Sequence, residues 1–233
     1  MRYVSKILVL FATIIFAVSC GPQKQKSVAD IVAANPDQAR IVFENDYVKA
    51  VEFTLKPGDK LPLHQGGMRV IYALSDYKIR WTEGGETIEK EWQRGDTHWH
   101  DAVDHAVENI GDTEAQYLVV TRTETPLPET GDFDVSHDVS QVDSENATIL
   151  FENDVFRIID VKLDPDESQP KHEGIYRLIY SLNDYRAEYT YYRLNTIEAE
   201  MEESLIHWHV PEKHSVKNVG ETPAHYLIFA VKK

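Results

Sequence analysis

The chain contains two copies of one segment, and this repetition constrains the fold more than any local motif does. Sliding the sequence by 108 positions places 41–81 on 149–189 with 16 identities in 41 aligned positions. A shift of 109 places 98–121 on 207–230 with 11 identities in 24, so the second copy has one extra residue between the two blocks. The copies span 39–123 and 147–233, and a polar, acidic connector, 124–146, separates them. Two similar domains are therefore predicted.

Short runs within each copy alternate apolar and polar residues, as β-strands with one buried face do. In the first copy these runs are 41–44, 47–55, 69–74, 77–81, 87–92 and 116–121, and they are rich in Val, Ile, Tyr, Phe and Trp. Turn-forming sequences such as Lys56-Pro57-Gly58-Asp59 separate them. Neither copy contains a ten-residue helical pattern. Each copy is predicted to be an all-β sandwich or barrel.

Eight of the ten histidines occupy equivalent positions in the two copies. The pairs are His64/His172, His98/His207, His100/His209 and His105/His214. The His-Trp-His triplets at 98–100 and 207–209 are predicted to be extended, so that both imidazoles of a triplet point to one side and the tryptophan to the other. If that side is the barrel interior, each barrel holds three or four imidazoles. Such a cluster suits zinc, copper, nickel or iron(II).

Two segments of each copy resemble the paired motifs of the cupins, a superfamily of small double-stranded β-helix barrels related to jelly rolls. In the first copy they are Pro57-Gly58-Asp59 through His64 with Tyr72-Ala73-Leu74, and Gly95-Asp96 with His105 and Asn109. Their counterparts in the second copy include Pro165, Pro170, His172, Tyr180, Leu182, His214 and Asn218. The resemblance implies an all-β fold of two tandem cupin-type barrels, a bicupin.

The resemblance also implies a divalent metal bound by three histidines and a glutamate, and here the sequence departs from the pattern. Gly66 and Gly174 stand where the second histidine of a His-x-His motif is expected. Counted back from the tyrosines, the glutamate position falls on Arg69 and Arg177; counted forward from the histidines, it falls on Val70 and Leu178. A guanidinium would repel a nearby cation and cannot shed its proton. Two hypotheses follow for the eight histidines: they bind Zn, Fe, Ni, Cu or Mn, or they hydrogen-bond the pocket and its ligand.

Arg69 and Arg177 have two interpretations as well. A guanidinium can bind a carboxylate or phosphate of a ligand in a bidentate fashion. Alternatively, each arginine forms an ion pair with one of the abundant acids of the chain. Five aromatic residues likewise either line a sugar or aromatic site or pack in the core and across strands: Trp81, Trp92, Tyr189, Tyr191 and Tyr192.

The amino terminus predicts a secreted, lipid-anchored protein. Arg2 and Lys6 precede an apolar run, 7–18, which has the order of a signal peptide (1–19) and is too short for a permanent membrane span. Ala17-Val18-Ser19-Cys20 resembles the lipobox of bacterial lipoproteins, and Cys20 is the only cysteine. The alternative is an ordinary signal peptide with an incidental cysteine. We expect a lipid on Cys20, a tether at 20–38, and a location in the bacterial cell envelope on the extracytoplasmic side.

Charge and motifs limit the functions that the sequence predicts. Without Arg2 and Lys6 the chain has 22 basic and 39 acidic residues, a formal net charge of −17, which disfavours binding to nucleic acid or to anionic lipid headgroups. Two functions are predicted. Either the pockets bind a small carbohydrate or organic acid, or a transition metal makes the protein an enzyme of the dioxygenase, isomerase or hydrolase type. A homodimer is a further candidate assembly.

Overall fold

The computed structural model describes residues 28–130, 133–191 and 196–232, so Cys20 and the signal segment lie outside the described residues. Barrel 1 consists of β1 (Ala39–Glu44), β2 (Val48–Leu55), β3 (Lys60–Gln65), β4 (Arg69–Ala73), β5 (Tyr77–Glu83), β6 (Glu86–Trp92), β7 (Thr97–His100), β8 (Asp104–Asn109) and β9 (Ala115–Arg122). Barrel 2 consists of β10 (Ala147–Glu152), β11 (Phe156–Leu163), β12 (Ser168–Gly174), β13 (Arg177–Ser181), β14 (Tyr185–Tyr191), β15 (Thr196–Met201), β16 (Ile206–His209), β17 (Glu212–Asn218) and β18 (Ala224–Val231).

Barrel 2 repeats the strand pairing of barrel 1. In barrel 1 a five-stranded sheet, β1-β2-β9-β4-β7, faces a four-stranded sheet, β3-β8-β5-β6. Barrel 2 has the same orders, β10-β11-β18-β13-β16 and β12-β17-β14-β15. The paired strands are antiparallel throughout. The predicted fold class, two tandem double-stranded β-helix barrels, is confirmed.

The central strands of the five-stranded sheets are buried on both faces, because the two barrels pack against each other. Along β4, Ile71 and Ala73 belong to the core of barrel 1, whereas Val70 and Tyr72 face barrel 2. We call this second cluster the cross-barrel core. Its buried members are Val48, Ala50, Val70, Tyr72, Leu118 and Val120 from barrel 1, and Phe156, Ile158, Leu178, Tyr180, Leu182, Leu227, Phe229 and Val231 from barrel 2. The barrels therefore pair within one chain.

A short helix contributes to the core of each barrel. Ile31 of α1 (Val28–Ala34) is completely buried in the core of barrel 1. Val139 of α2 (Val139–Val142), which follows a 3₁₀ turn at Val135–His137, occupies the equivalent place in barrel 2. The repeat thus begins earlier than the sequence comparison indicated, and the segment predicted as a tether is partly structured. None of the helices in the described part of the chain has the length and hydrophobicity needed to cross a membrane.

Candidate anion-binding site

Two facing strands bring one pair of histidines together inside each barrel. His64 of β3 lies opposite His105 of β8, and their ring centroids are 4.2 Å apart. Both residues are buried, and the Nδ1 atom of His64 donates to the carbonyl oxygen of Pro62 at 2.7 Å. His172 and His214 repeat this arrangement in barrel 2, again with ring centroids 4.2 Å apart.

A second pair of imidazoles enters barrel 1 from β7. The rings of His98 and His100 are 5.0 Å apart, whereas Trp99 packs on the opposite face of the strand against Phe151 of barrel 2, at 6.2 Å between ring centroids. The triplet at 207–209 has the same alternation, with its two imidazoles 4.9 Å apart. In both triplets the two imidazoles therefore lie on one side of the strand and the tryptophan on the other.

Two indole rings cover these imidazoles in barrel 1. Trp92 stacks on His98 at 3.7 Å between ring centroids. Trp81 stacks on His100 at 4.2 Å and on His105 at 4.3 Å, and so contacts a histidine from each pair. Since Trp81 is buried in the core of barrel 1, it supports the histidines rather than offering an open face to a sugar.

Arg69 extends its guanidinium into the same space and is only 2% exposed. Its Nη1 atom donates to the carbonyl oxygens of Gly67 at 2.8 Å and Asp101 at 3.2 Å, and its Nη2 atom lies 3.3 Å from Nδ1 of His105. The guanidinium carbon is 5.3 Å from the centroid of the Trp81 ring. No carboxylate among the described residues forms an ion pair with Arg69. The guanidinium is thus a buried cation whose direct partners are carbonyl oxygens and an imidazole.

The position of the arginine explains why a glycine stands where the cupin motif has its second metal-binding histidine. A Cβ atom on Gly66 would overlap Nη1 of Arg69 and lie 2.7 Å from Cε1 of His105. At Gly174 a Cβ atom would overlap Nη1 of Arg177 in the same way. In each barrel the guanidinium therefore fills the space where a second histidine of a His-x-His motif would begin.

Barrel 2 differs because its arginine is neutralised. The Nη2 atom of Arg177 donates to Oε1 of Glu212 at 2.8 Å, and Nδ1 of His209 donates to the same oxygen at 2.9 Å. Arg177 is 3% exposed and the side chain of Glu212 is 22% exposed, so the arginine is buried and its partner is partly buried. The adjacent cavity has a volume of about 20 Å³, enough for about one water molecule. The ion-pair interpretation thus applies to Arg177 but not to Arg69.

Burial keeps the imidazoles of barrel 1 neutral at ordinary pH. Desolvation, followed by the charges of His100 and Arg69, lowers the pKa of His98 to about 3. Desolvation and Arg69 lower the pKa of His100 to about 4 and that of His105 to about 2. Desolvation also lowers the pKa of Arg69 to about 10, against an opposing effect of Glu83. At neutral pH the interior therefore holds uncharged imidazoles around one cation.

These side chains do not fit the metal centre that the sequence resemblance implies. Within 28–130, 133–191 and 196–232, no three His, Cys, Asp or Glu side chains are arranged to hold a metal ion. Besides the contact of Arg69 with His105, the Nη2 atom of Arg177 lies 3.5 Å from Nε2 of His214. A permanent cation this close would repel a divalent ion from the paired histidines. As positioned here, the eight histidines line the barrels without forming a site for Zn, Fe, Ni, Cu or Mn.

The sequence comparison missed two carboxylates of the site. Glu83 accepts a hydrogen bond from Nε1 of Trp81 at 2.7 Å and lies 3.7 Å from Nδ1 of His100. Glu212 binds the arginine of barrel 2. The equivalent residues in the other copy are Tyr191 and Val103, so a search for shared residues could not find them. A search for positions at which one copy has a carboxylate and the other does not could have found them.

Comparison with known proteins supports the fold. No protein-family model matches the chain, and no curated protein sequence matches it. Among solved structures, oxalate decarboxylase from Bacillus subtilis at pH 4.6 superimposes with a TM-score of 0.60 at 13% identity, covering 83% of this chain and 71% of that chain. Oxalate decarboxylase from Lactobacillus farciminis in a formate complex gives a TM-score of 0.59 at 13% identity, covering 81% and 78%.

A third similar structure is AerE from Microcystis aeruginosa, with a TM-score of 0.58 at 16% identity over 84% of this chain and 98% of that one. The Bacillus subtilis enzyme is described as having Mn(II) centres. TM-scores of 0.58–0.60 at such low identities show a shared fold alone, and the activity of each neighbour remains a property of that neighbour.

Proposed function

We propose that this bicupin-fold protein binds a small organic acid inside barrel 1, with Arg69 holding the acid's carboxylate. The observation that carries this proposal is the asymmetry between the barrels: Arg177 is neutralised by Glu212, whereas Arg69 has no carboxylate partner among the described residues. A buried charge without a directly paired counter-charge is unfavourable. Bound anion would supply that counter-charge, and a charge-assisted hydrogen bond with it.

The surroundings of Arg69 suit such a ligand. The neutral imidazoles of barrel 1 can donate or accept hydrogen bonds, and Nδ1 of His98 is buried without a partner among the described residues. Of the two ligand classes predicted from the sequence, an organic acid fits better than a neutral carbohydrate, because only the acid balances the guanidinium. The acidic surface of the protein opposes approach of an anion only weakly, since charges farther than about 8 Å are screened at physiological ionic strength.

Replacing Arg69 tests the proposal directly. Calorimetric titration of the purified protein with acetate, succinate and gluconate, and with glucose as a neutral comparison, should identify an acid that binds. Arg69→Gln should weaken that binding by about tenfold to about 100-fold, because a hydrogen bond to a charged group contributes about 1.5–3 kcal/mol. The matched control is Arg80→Gln, since Arg80 pairs with Glu89 and Glu108 on the surface of the same barrel. Equal affinity of Arg69→Gln and wild type would contradict the proposal.

We propose further that a lipid on Cys20 holds the protein in the cell envelope, facing away from the cytoplasm. The supporting features are the signal-like segment at 1–19 and the lipobox-like sequence before the single cysteine. Cys20→Ser should move the protein from the membrane fraction to the soluble fraction when cells are fractionated and probed with an antibody. Retention of the variant in the membrane fraction would show that another feature anchors it.

A further inference from the structure

Barrel 2 contains a carboxylate at the place where a ligand of barrel 1 would be needed. Glu212 contributes one oxygen that receives hydrogen bonds from both Arg177 and His209. Glu212 aligns with Val103 in the first copy, which has no charge. Barrel 1 therefore retains the arginine and the histidine of this arrangement, Arg69 and His100, but lacks its carboxylate.

The rest of the arrangement is the same in the two barrels. In barrel 2 the Nη1 atom of Arg177 donates to the carbonyl oxygens of Ile175 at 3.1 Å and Val210 at 3.3 Å. Gly67 and Asp101, the acceptors for Arg69, are the equivalent residues of the first copy. The paired histidines of the two barrels have the same ring separation. The two guanidiniums are thus held in the same way.

The Nδ1 atom of His100 has only a long contact with a carboxylate in barrel 1. Oε2 of Glu83 is 3.7 Å from it, which is too long for a hydrogen bond, and the same oxygen already accepts from Trp81. Both groups that bind the carboxylate of Glu212 in barrel 2 therefore have counterparts in barrel 1, and no carboxylate oxygen of the described residues lies within hydrogen-bond distance of either counterpart.

We propose that Glu212 is a built-in equivalent of the ligand: in barrel 1 a carboxylate oxygen of the bound acid bridges Arg69 and His100, as Glu212 bridges Arg177 and His209. This inference rests on the function proposed above and adds two statements to it. The acid binds through a carboxylate group with the dimensions of the end of a glutamate side chain. Each chain also has one ligand site rather than two, because barrel 2 is closed by its own side chain.

The first test gives barrel 1 a carboxylate side chain at the position that Glu212 has in barrel 2. Acetate is the probe, since it matches the end of a glutamate side chain. Val103→Glu should abolish acetate binding in calorimetric titrations, because the new carboxylate occupies the site. Val103→Gln is the matched control of nearly equal size without the charge, and it should retain more of the binding. Undiminished acetate binding by Val103→Glu would overturn the proposal.

The second test opens barrel 2, in a background where acetate binding to barrel 1 is weakened. Arg69→Gln alone should bind acetate about tenfold to about 100-fold more weakly than wild type, whereas Arg69→Gln/Glu212→Ala should regain binding of one acetate per chain and melt at a higher temperature as acetate is added. Adding Arg177→Gln to this double variant should remove the response to acetate. A double variant that is folded but does not respond to acetate would overturn the proposal.

The two proposals fail in different ways. If acetate binds only after Glu212 is removed, Glu212 does occupy a carboxylate site in barrel 2, and the function assigned to barrel 1 is wrong. If wild type binds acetate through Arg69 but Val103→Glu binds it equally well, barrel 1 does bind an acid, and the position taken from Glu212 is wrong. Because the Val103→Glu test leaves barrel 2 unchanged, it also decides the matter if the Glu212→Ala variant does not fold.

Discussion

Lowering the pH from 6.5 to 5.5 is expected to reduce the free energy of unfolding by several kcal/mol, before ordinary carboxylates take up protons. The reason is the set of buried imidazoles, whose pKa values in the fold lie below the usual value, first because of desolvation and then because of the nearby arginine in most cases. The histidines with a lowered pKa are His64, His98, His100, His105, His172, His207 and His214.

The direction follows from proton binding in the two states. An unfolded chain protonates its histidines near pH 6.5, whereas the folded barrels protonate them only at lower pH, for example near pH 4 for His207. Between these values the unfolded state binds more protons, so stability is complete above about pH 6.5 and declines as the pH falls. Each such histidine contributes up to about 1.4 kcal/mol per pH unit. Several together approach the total stability of a typical domain, about 5–15 kcal/mol.

Denaturant unfolding at pH 7.5, 6.5 and 5.5 would measure this slope. The double variant His98→Gln/His100→Gln should flatten it by up to about 1.4 kcal/mol per pH unit for each histidine replaced. Ile88→Gln/Ile197→Gln is the matched control, because these side chains are 57% and 53% exposed and carry no titratable group, and it should leave the slope unchanged. A free energy of unfolding that stays constant between pH 6.5 and 5.5 would contradict the burial described here.

The barrels could be predicted from sequence because their repetition and alternation are periodic signals. The strands β3 and β8 gave no such signal, although they carry His64 and His105. Their inward positions are occupied by residues such as His64, His105 and Asn109, which do not count as apolar in a two-residue period. Strands that supply a site depart from the core pattern in this way.

The packing of the two barrels against each other could not be predicted from the sequence, for a different reason. All five residues of β4 are buried, as are all five of β13. A strand covered on both faces reads as a continuous apolar run, and such a run does not reveal which surface covers it. The same run could have been covered by a second chain, and only the three-dimensional arrangement identifies barrel 2 as the partner.

The site itself was only partly predictable, because its chemistry depends on differences between the copies. Motif counting left the glutamate position on either Arg69 or Val70. The structure places Arg69 inside the barrel and Val70 in the cross-barrel core. Strand pairing by itself cannot show that Glu212, which starts β17, reaches Arg177 across the barrel. Spacing in sequence does not report such contacts.

Restoring the ligands that the arginine displaces is expected to create a metal site in barrel 1. In the double variant Gly66→His/Arg69→Glu, the new imidazole and carboxylate would join His64 and His105, giving the three histidines and one glutamate of the cupin pattern. The guanidinium that would repel a divalent ion is removed at the same time. The double variant should therefore bind Mn²⁺ or Zn²⁺ stoichiometrically, and its melting temperature should rise with added metal.

Elemental analysis after dialysis, together with thermal melts with and without Mn²⁺ or Zn²⁺, would measure the gain. Gly66→His alone should be destabilised and should bind no metal, because its Cβ atom would overlap Nη1 of Arg69, and the guanidinium could move away only by breaking its hydrogen bonds to Gly67 and Asp101. Arg69→Glu alone supplies one ligand fewer and should bind more weakly than the double variant. The opposite result is equally informative: wild type that retains stoichiometric metal, and loses it when His64 and His105 are replaced by alanine, would mean that Arg69 moves aside for a cation. The arginine would then be a displaceable occupant of the barrel rather than the group that receives an acid.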